Sequence, residues 1–196
     1  GYMKLIAERG TAQQFDPKAG ASGGCTATRI EKPVHDFIEN TITGLQQADR
    51  LGANVVQVDV ALTGDGRFVL YSDAALDCRT EGSGTVRQTA LDAIQQLDPG
   101  AGYSADGGKT FPLNGLQTSR IPALETALAS LPDTPILFKL ASRDPGDGAK
   151  LAAALKAAGR DVVKKGDGFF ADEAVLAPLR AAFPNVWAFS PTSAAE

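Results

Sequence analysis

Apolar and polar positions along the chain fall into two alternating periods, and the alternation predicts a repeating strand–helix order. Residues 3–7 (MKLIA), 53–62 (ANVVQVDVAL), 134–140 (TPILFKL), 161–165 (DVVKK) and 185–190 (NVWAFS) are short apolar or β-branched runs that read as strands. In the longest run, Val55, Gln57 and Asp59 share one face while Val56, Val58 and Val60 share the other. Nearly continuous apolar strands predict a parallel sheet covered on both faces. A further run at 67–71 (RFVLY) follows the turn Gly64-Asp65-Gly66 and reads as an extra strand.

Helical spacing fills the intervals. Residues 41–52 carry the stripe Ile42, Leu45, Ala48, Leu51, with Asn40 or Thr41 as the cap. Residues 87–97 repeat the spacing through Leu91, Ile94 and Leu97, then stop at Asp98-Pro99-Gly100. Residues 122–131 begin at Pro122, residues 148–158 end at Gly159, and residues 172–183 open at Asp172 and end before Pro184. This βαβα order predicts an α/β fold with right-handed crossovers.

Two Gly-rich and polar segments interrupt the pattern, at 10–38 and 99–120. Loops of this length are functional or disordered more often than structural. In a (β/α)-barrel, loops that follow strands form the active-site rim. Five core strands are legible where a closed barrel needs eight, so residues 1–196 read as a single, partial barrel domain.

Composition narrows the chemistry. The chain is 43% hydrophobic and 21% charged, which suffices for one globular core. Its net charge of −4 leaves no basic surplus to neutralise phosphates, which excludes a nucleic-acid partner. No apolar run approaches the ~20 residues of a membrane span, and the opening GYMKLIAERG reads as a strand rather than a signal peptide. One histidine, His35, excludes any mechanism that needs two. Cys25 and Cys78 are too few for a disulfide scaffold or a zinc site. If their loops meet they can pair, and a bond would favour a secreted or periplasmic origin.

The order of short motifs resembles the glycerophosphodiester phosphodiesterase family. LIAERG is similar to the family's opening strand, which normally ends His-Arg-Gly, and IENT is similar to its Pro-Glu-Asn-Thr helix start. GANVVQVDVALTGDGRFVLYSDAALDCRT resembles the stretch Gly-Ala-Asp, Glu-x-Asp-Val, Thr-x-Asp-Gly, Val-x-x-His-Asp, Leu-x-Arg-Thr. IPALETAL is similar to Ile-Pro-Thr-Leu-Glu-Glu, and TPILFKL takes the place of the third strand, so the match covers roughly residues 4–142. The resemblance implies a TIM (β/α)-barrel of the phospholipase-C-like phosphodiesterase type. It also implies a phosphoric diester hydrolase of lipid metabolism, with a divalent cation on acidic side chains, two catalytic histidines, and an arginine and a lysine on the phosphate.

The chain departs from that pattern where the chemistry sits. Glu8 and Ser72 occupy the histidine positions, and Gln57 replaces the first carboxylate of Glu-x-Asp. Arg9, Glu39, Asn40, Asp59 and Asp73 match. On the third strand, one alignment puts Leu137 at the acid and Lys139 at the lysine; a slip of two puts Lys139 at the acid and Ala141 at the lysine. Strand parity directs Lys139 into the barrel either way, with Glu8 and Asp59 as its available partners. The resemblance therefore implies Glu8, Arg9, Ser72 and Lys139 at the catalytic positions and Arg9 and Lys139 on the substrate. Glu8, Gln57 and Asp59 would offer a weak Mg²⁺ or Ca²⁺ site.

Three readings follow, each with a small-molecule ligand in the barrel mouth. The first is a family member with a degraded site and weak or no hydrolysis. The second is a repurposed barrel in which Lys139 forms Schiff bases with a carbonyl substrate and Glu8 acts as general base. The third is a non-catalytic binding module.

Overall fold

The computed structural model describes residues 6–8, 27, 40–115 and 120–192 of the chain. In order, the elements are β1 (Ile6–Glu8), α1 (Ile42–Arg50), β2 (Val55–Leu62), β3 (Phe68–Leu70), α2 (Leu91–Gln95), α3 (Leu124–Ser130) and β4 (Ile136–Lys139). Then come α4 (Pro145–Ala157), α5 (Val162–Lys165), β5 (Gly168–Phe170), α6 (Glu173–Ala182) and β6 (Trp187–Phe189). Among the described residues, five strands run parallel in the order β1-β2-β4-β5-β6, and β3 turns back antiparallel on β2.

Side-chain alternation divides the sheet as the sequence implied. Val56, Val58 and Val60, with Ile136, Phe138 and Phe169, join one core with Leu45, Leu124, Leu151, Val175 and Leu179 of the helices. The opposite face carries two rows of side-chain positions in register. One runs Asp59, Lys139, Phe170, Phe189; the next runs Glu8, Gln57, Leu137, Gly168, Trp187. Helices α4 and α6 cross closely at Gly148, where a Cβ would come within 2.1 Å of the Val175 carbonyl oxygen.

Two expectations are corrected. Residues 161–165 form no strand: α5 (Val162–Lys165) lies there, and the strand is the next segment, β5. The Asp161 side chain accepts from the Lys164 N–H at 3.0 Å, and Gly166 closes the turn in the left-handed region at φ 75°. These caps outweigh the β-branched pair Val162-Val163. The stretch 87–97 is a 3₁₀ turn, Val86–Gln88, followed by the short α2 rather than one helix.

At the end of the sheet remote from Lys139, Arg160 and Asp167 form a buried pair. Arg160 Nε donates to Asp167 Oδ2 at 2.8 Å and Nη2 donates to Oδ1 at 2.8 Å. The remaining capacity is used: Nη1 donates to the Leu131 carbonyl at 2.7 Å, Nη2 to the Thr134 carbonyl at 3.0 Å, and Ile136 N–H to Asp167 Oδ1 at 2.7 Å. Replacing Arg160 by Met would strand the carboxylate in the core. The expected loss, read by urea unfolding at neutral pH, is about 3–5 kcal/mol; a loss under ~1 kcal/mol would show that the pair is not structural.

Candidate functional site

The site begins where the chain enters α1. Thr41 caps the helix, its Oγ1 accepting from the Gly44 N–H at 3.3 Å. Asn40, just before it, sits in the left-handed region at φ 57°, which asparagine tolerates. That conformation turns its amide onto β2. Asn40 Nδ2 donates to Asp59 Oδ2 at 3.1 Å, and the Asp59 N–H donates to Asn40 Oδ1 at 3.0 Å. The Asp59 carboxylate is thereby held at a fixed angle, in a residue only 6% exposed.

The β2–β3 hairpin supplies the next groups. The Gly64–Gly66 turn, with Gly66 at φ 77°, returns the chain so that the Tyr71 N–H reaches the Asp59 carbonyl at 3.1 Å. Ser72 follows, its Oγ buried and without a hydrogen-bond partner among the described residues. Asp73 pairs with Arg79 Nε at 2.8 Å, and Arg79 Nη1 donates to the Tyr103 hydroxyl at 2.8 Å. The segment after Pro99 thus packs behind the site: Tyr103 is fully buried and Gly115 N–H donates to Asp98 at 2.6 Å.

Lys139 ends β4 on the face opposite Phe138, as parity required. Of the two partners offered for Lys139, Asp59 does not pair with it, and the side chain of Glu8 lies outside the described residues. Lys139 makes no ion pair among the described residues, and its Nζ lies 5.8 Å from the centre of the Phe170 ring. Asp59 and Lys139 are register partners on adjacent strands, and the Asp59 carboxylate accepts from Asn40 Nδ2 at 3.1 Å.

Asp59, Ser72 and Lys139 line one pocket of about 400 Å³ between the hairpin and the start of α4. Asp73 and Ala141 line it as well. Gln57 does not; it lies one row below, beside Glu8 in the β-ladder. The side chain of Glu8 and the whole of Arg9, Glu39, His35 and Cys25 lie outside the described residues. Cys78 is disulfide-bonded, and Cys25 is the only other cysteine in the sequence.

The family model described as the Glycerophosphoryl diester phosphodiesterase family matches residues 24–162. The chain belongs to that family. A glycerophosphodiester phosphodiesterase of Caldanaerobacter subterraneus is 32% identical over 123 residues, covering 60% of this chain and 47% of that protein. Human glycerophosphodiester phosphodiesterase 1 is 33% identical over 117 residues, covering 54% of this chain and 33% of that one. The chain therefore spans half or less of the length of these curated relatives. Two solved structures show the same fold. The glycerophosphoryl diester phosphodiesterase domain of Rv2277c from Mycobacterium tuberculosis superposes with a TM-score of 0.67 at 21% identity, over 94% of this chain and 58% of that one. An Oleispira antarctica phosphodiesterase in complex with the product sn-glycerol-3-phosphate superposes with a TM-score of 0.64 at 22% identity, over 96% and 65%. The sheet is accordingly part of the barrel of this phosphodiesterase family.

Set in the family's barrel, the pocket includes groups the sequence did not single out. Arg87, on the 3₁₀ turn, donates from Nη1 to Asp147 Oδ2 at 2.7 Å and from Nη2 to Asp147 Oδ1 at 2.8 Å, with Asp144 Oδ2 at 3.3 Å. Asp144 caps α4 and Pro145 is its first residue. The Asp-Pro step was a readable start signal, whereas the long-range arginine fork left no trace in the sequence. Among the described residues, no group of three acidic, histidine or cysteine side chains is placed to hold a metal. Gln57 and Asp59 alone fall short of the oxygen set that Mg²⁺ or Ca²⁺ needs, and no chemical step is assigned to a metal here.

The Arg87 fork holds the Asp147 carboxyl below its ordinary value of 3.8, against the opposing effect of burial. A lowered folded-state value adds stability that is present above the unfolded carboxyl value and fades as pH falls through the folded one. Asp147→Asn is therefore expected to cost roughly 1–3 kcal/mol at pH 7, with the gap from the parent narrowing below about pH 4. Urea unfolding at pH 7 and pH 3 reads both; an equal gap at the two values would refute the role given to the fork.

Proposed function

We propose that this chain is a glycerophosphodiester phosphodiesterase-family protein that keeps a phosphate-binding pocket at the barrel mouth and hydrolyses diesters weakly or not at all. Residues 1–196 are treated as one partial barrel domain. The observation that carries the reading is the Lys139 ammonium, without an ion-pair partner among the described residues, in a pocket that Ser72 also lines. Lys139 is an anion clamp, with Arg9 the second cation by resemblance. Hydrolysis needs a base on one side of phosphorus and an acid on the other. Ser72 stands where the resemblance puts a histidine, and a serine hydroxyl has no acidity to offer near neutrality. Glu8, at the other histidine position, is an anion at neutral pH unless buried, and it would repel the substrate. Gln57 removes a negative charge from the Glu8, Gln57 and Asp59 set, which leaves Mg²⁺ or Ca²⁺ weakly held.

The test restores the pattern with Glu8→His, Gln57→Glu and Ser72→His and compares turnover of a glycerophosphodiester in Mg²⁺ or Ca²⁺. The restored chain is expected to gain about 10²-fold or more. A starting chain already as fast as the restored one, or a restored chain with no gain, overturns the reading.

The isolation of Lys139 beside an aromatic ring also favours a second reading, in which its amine condenses with a carbonyl compound and Glu8 serves as base. Incubation with an aldehyde and cyanoborohydride should then leave a mass increment confined to the peptide bearing Lys139. Labelling spread evenly over the surface lysines would dismiss this alternative.

A further inference from the structure

We infer that the pocket takes a phosphodiester whose alcohol is apolar, an aryl or alkyl group, rather than a polyol. This rests on the proposed anion clamp and adds what lies next to it. Beyond Asp59, Ser72 and Lys139 the cavity runs between the hairpin and α4, and its floor is Val60, Leu62, Phe68, Val86 and Leu140. All five are less than 9% exposed. Its mouth is formed by the exposed residues Ala74, Arg87, Gln88 and Ala141.

The polar groups around the cavity are mostly committed. Arg87 spends its fork on Asp147 and Asp144, Asp73 is paired with Arg79, and Asp59 holds Asn40. At the Asp59 end the Lys139 ammonium remains uncommitted among the described residues; Ser142 Oγ accepts from the Asp144 N–H at 3.0 Å, and the Thr85 and Gln88 side chains also line the cavity. A glycerol moiety pushed toward the floor would lose its water against five apolar side chains, which is costly. A hydrocarbon group loses nothing there. The room is sufficient: a cavity of roughly 150 Å³ accepts benzene, and this one holds about 400 Å³. The ligand that uses both ends is an anion with an apolar arm, its phosphate oxygens on Lys139.

The test compares two probes of equal charge, diphenyl phosphate and dimethyl phosphate, by calorimetric titration of the intact chain. Diphenyl phosphate is expected to bind at least tenfold more tightly. Filling the mouth with Ala141→Phe, or independently Ala74→Phe in case the first disturbs folding, should erase that preference. Equal affinities, no diphenyl phosphate binding at millimolar concentration, or filled variants that keep the preference overturn the inference. Lys139→Met separates this inference from the anion-clamp reading. Loss of affinity for both probes supports the clamp. An unchanged affinity for both removes the clamp, and with it the headgroup end of this proposal, while the aryl preference reports on the apolar arm alone.

Discussion

The buried Arg160–Asp167 pair is the constraint on which the sheet's geometry depends. An ion pair removed from water is tolerated only when its remaining donors and acceptors are also used. Here that requirement has structural consequences. Arg160 follows α4, Asp167 precedes β5, and their bonds reach the end of α3, the approach to β4 and the first amide of β4. One cluster therefore sets the starting level of β4 against that of β5. From those starts the register follows, Leu137 beside Gly168 and Lys139 beside Phe170. The position of Lys139 at the mouth is decided at the other end of its own strand.

Much of this was legible because the information was local. The alternation in 53–62 put Val56, Val58 and Val60 on one face and Val55, Gln57 and Asp59 on the other, and the core takes the first three. Parity, taken with the family resemblance on the third strand, oriented Lys139. Where the reading failed, two local signals competed. Val162 and Val163 argue for a strand, but Asp161 and Gly166 bracket them as helix caps, and a four-residue segment is too short for periodicity to arbitrate. Strand β5 escaped because its three residues begin with a glycine, which carries no strand preference.

The site was less legible because its contacts span long stretches of sequence. Asn40 and Asp59 are 19 residues apart, and Arg87 and Asp147 are 60 apart. Nothing in either neighbourhood names the other member. The pairing of Lys139 with Asp59, offered beside Glu8 as the alternative, is instructive for the same reason. Both do lie side by side on adjacent strands, so proximity was anticipated correctly. Which donor wins the carboxylate depends on Asn40, whose left-handed backbone points its amide at β2.

The outcome for Lys139 follows from the row it belongs to. Across the inward face that row changes character, from Asp59 through Lys139 to Phe170 and Phe189, the last two rings 4.9 Å apart with Trp187 5.2 Å from Phe189. Among the described residues, the ammonium has Asp59 as its register partner on one side and the Phe170 ring on the other. A cation over an aromatic face gains about 0.5–1 kcal/mol at a partly exposed site, and at 5.8 Å from the ring centre the gain sits near the limit of that interaction. Such a contact orients the amine without neutralising it. A buried carboxylate partner would have done the reverse, holding the charge tightly and leaving little for a ligand. Asp59 is tied to Asn40, and Lys139 makes no ion pair among the described residues, which leaves its N–H donors available to an anion at the pocket wall.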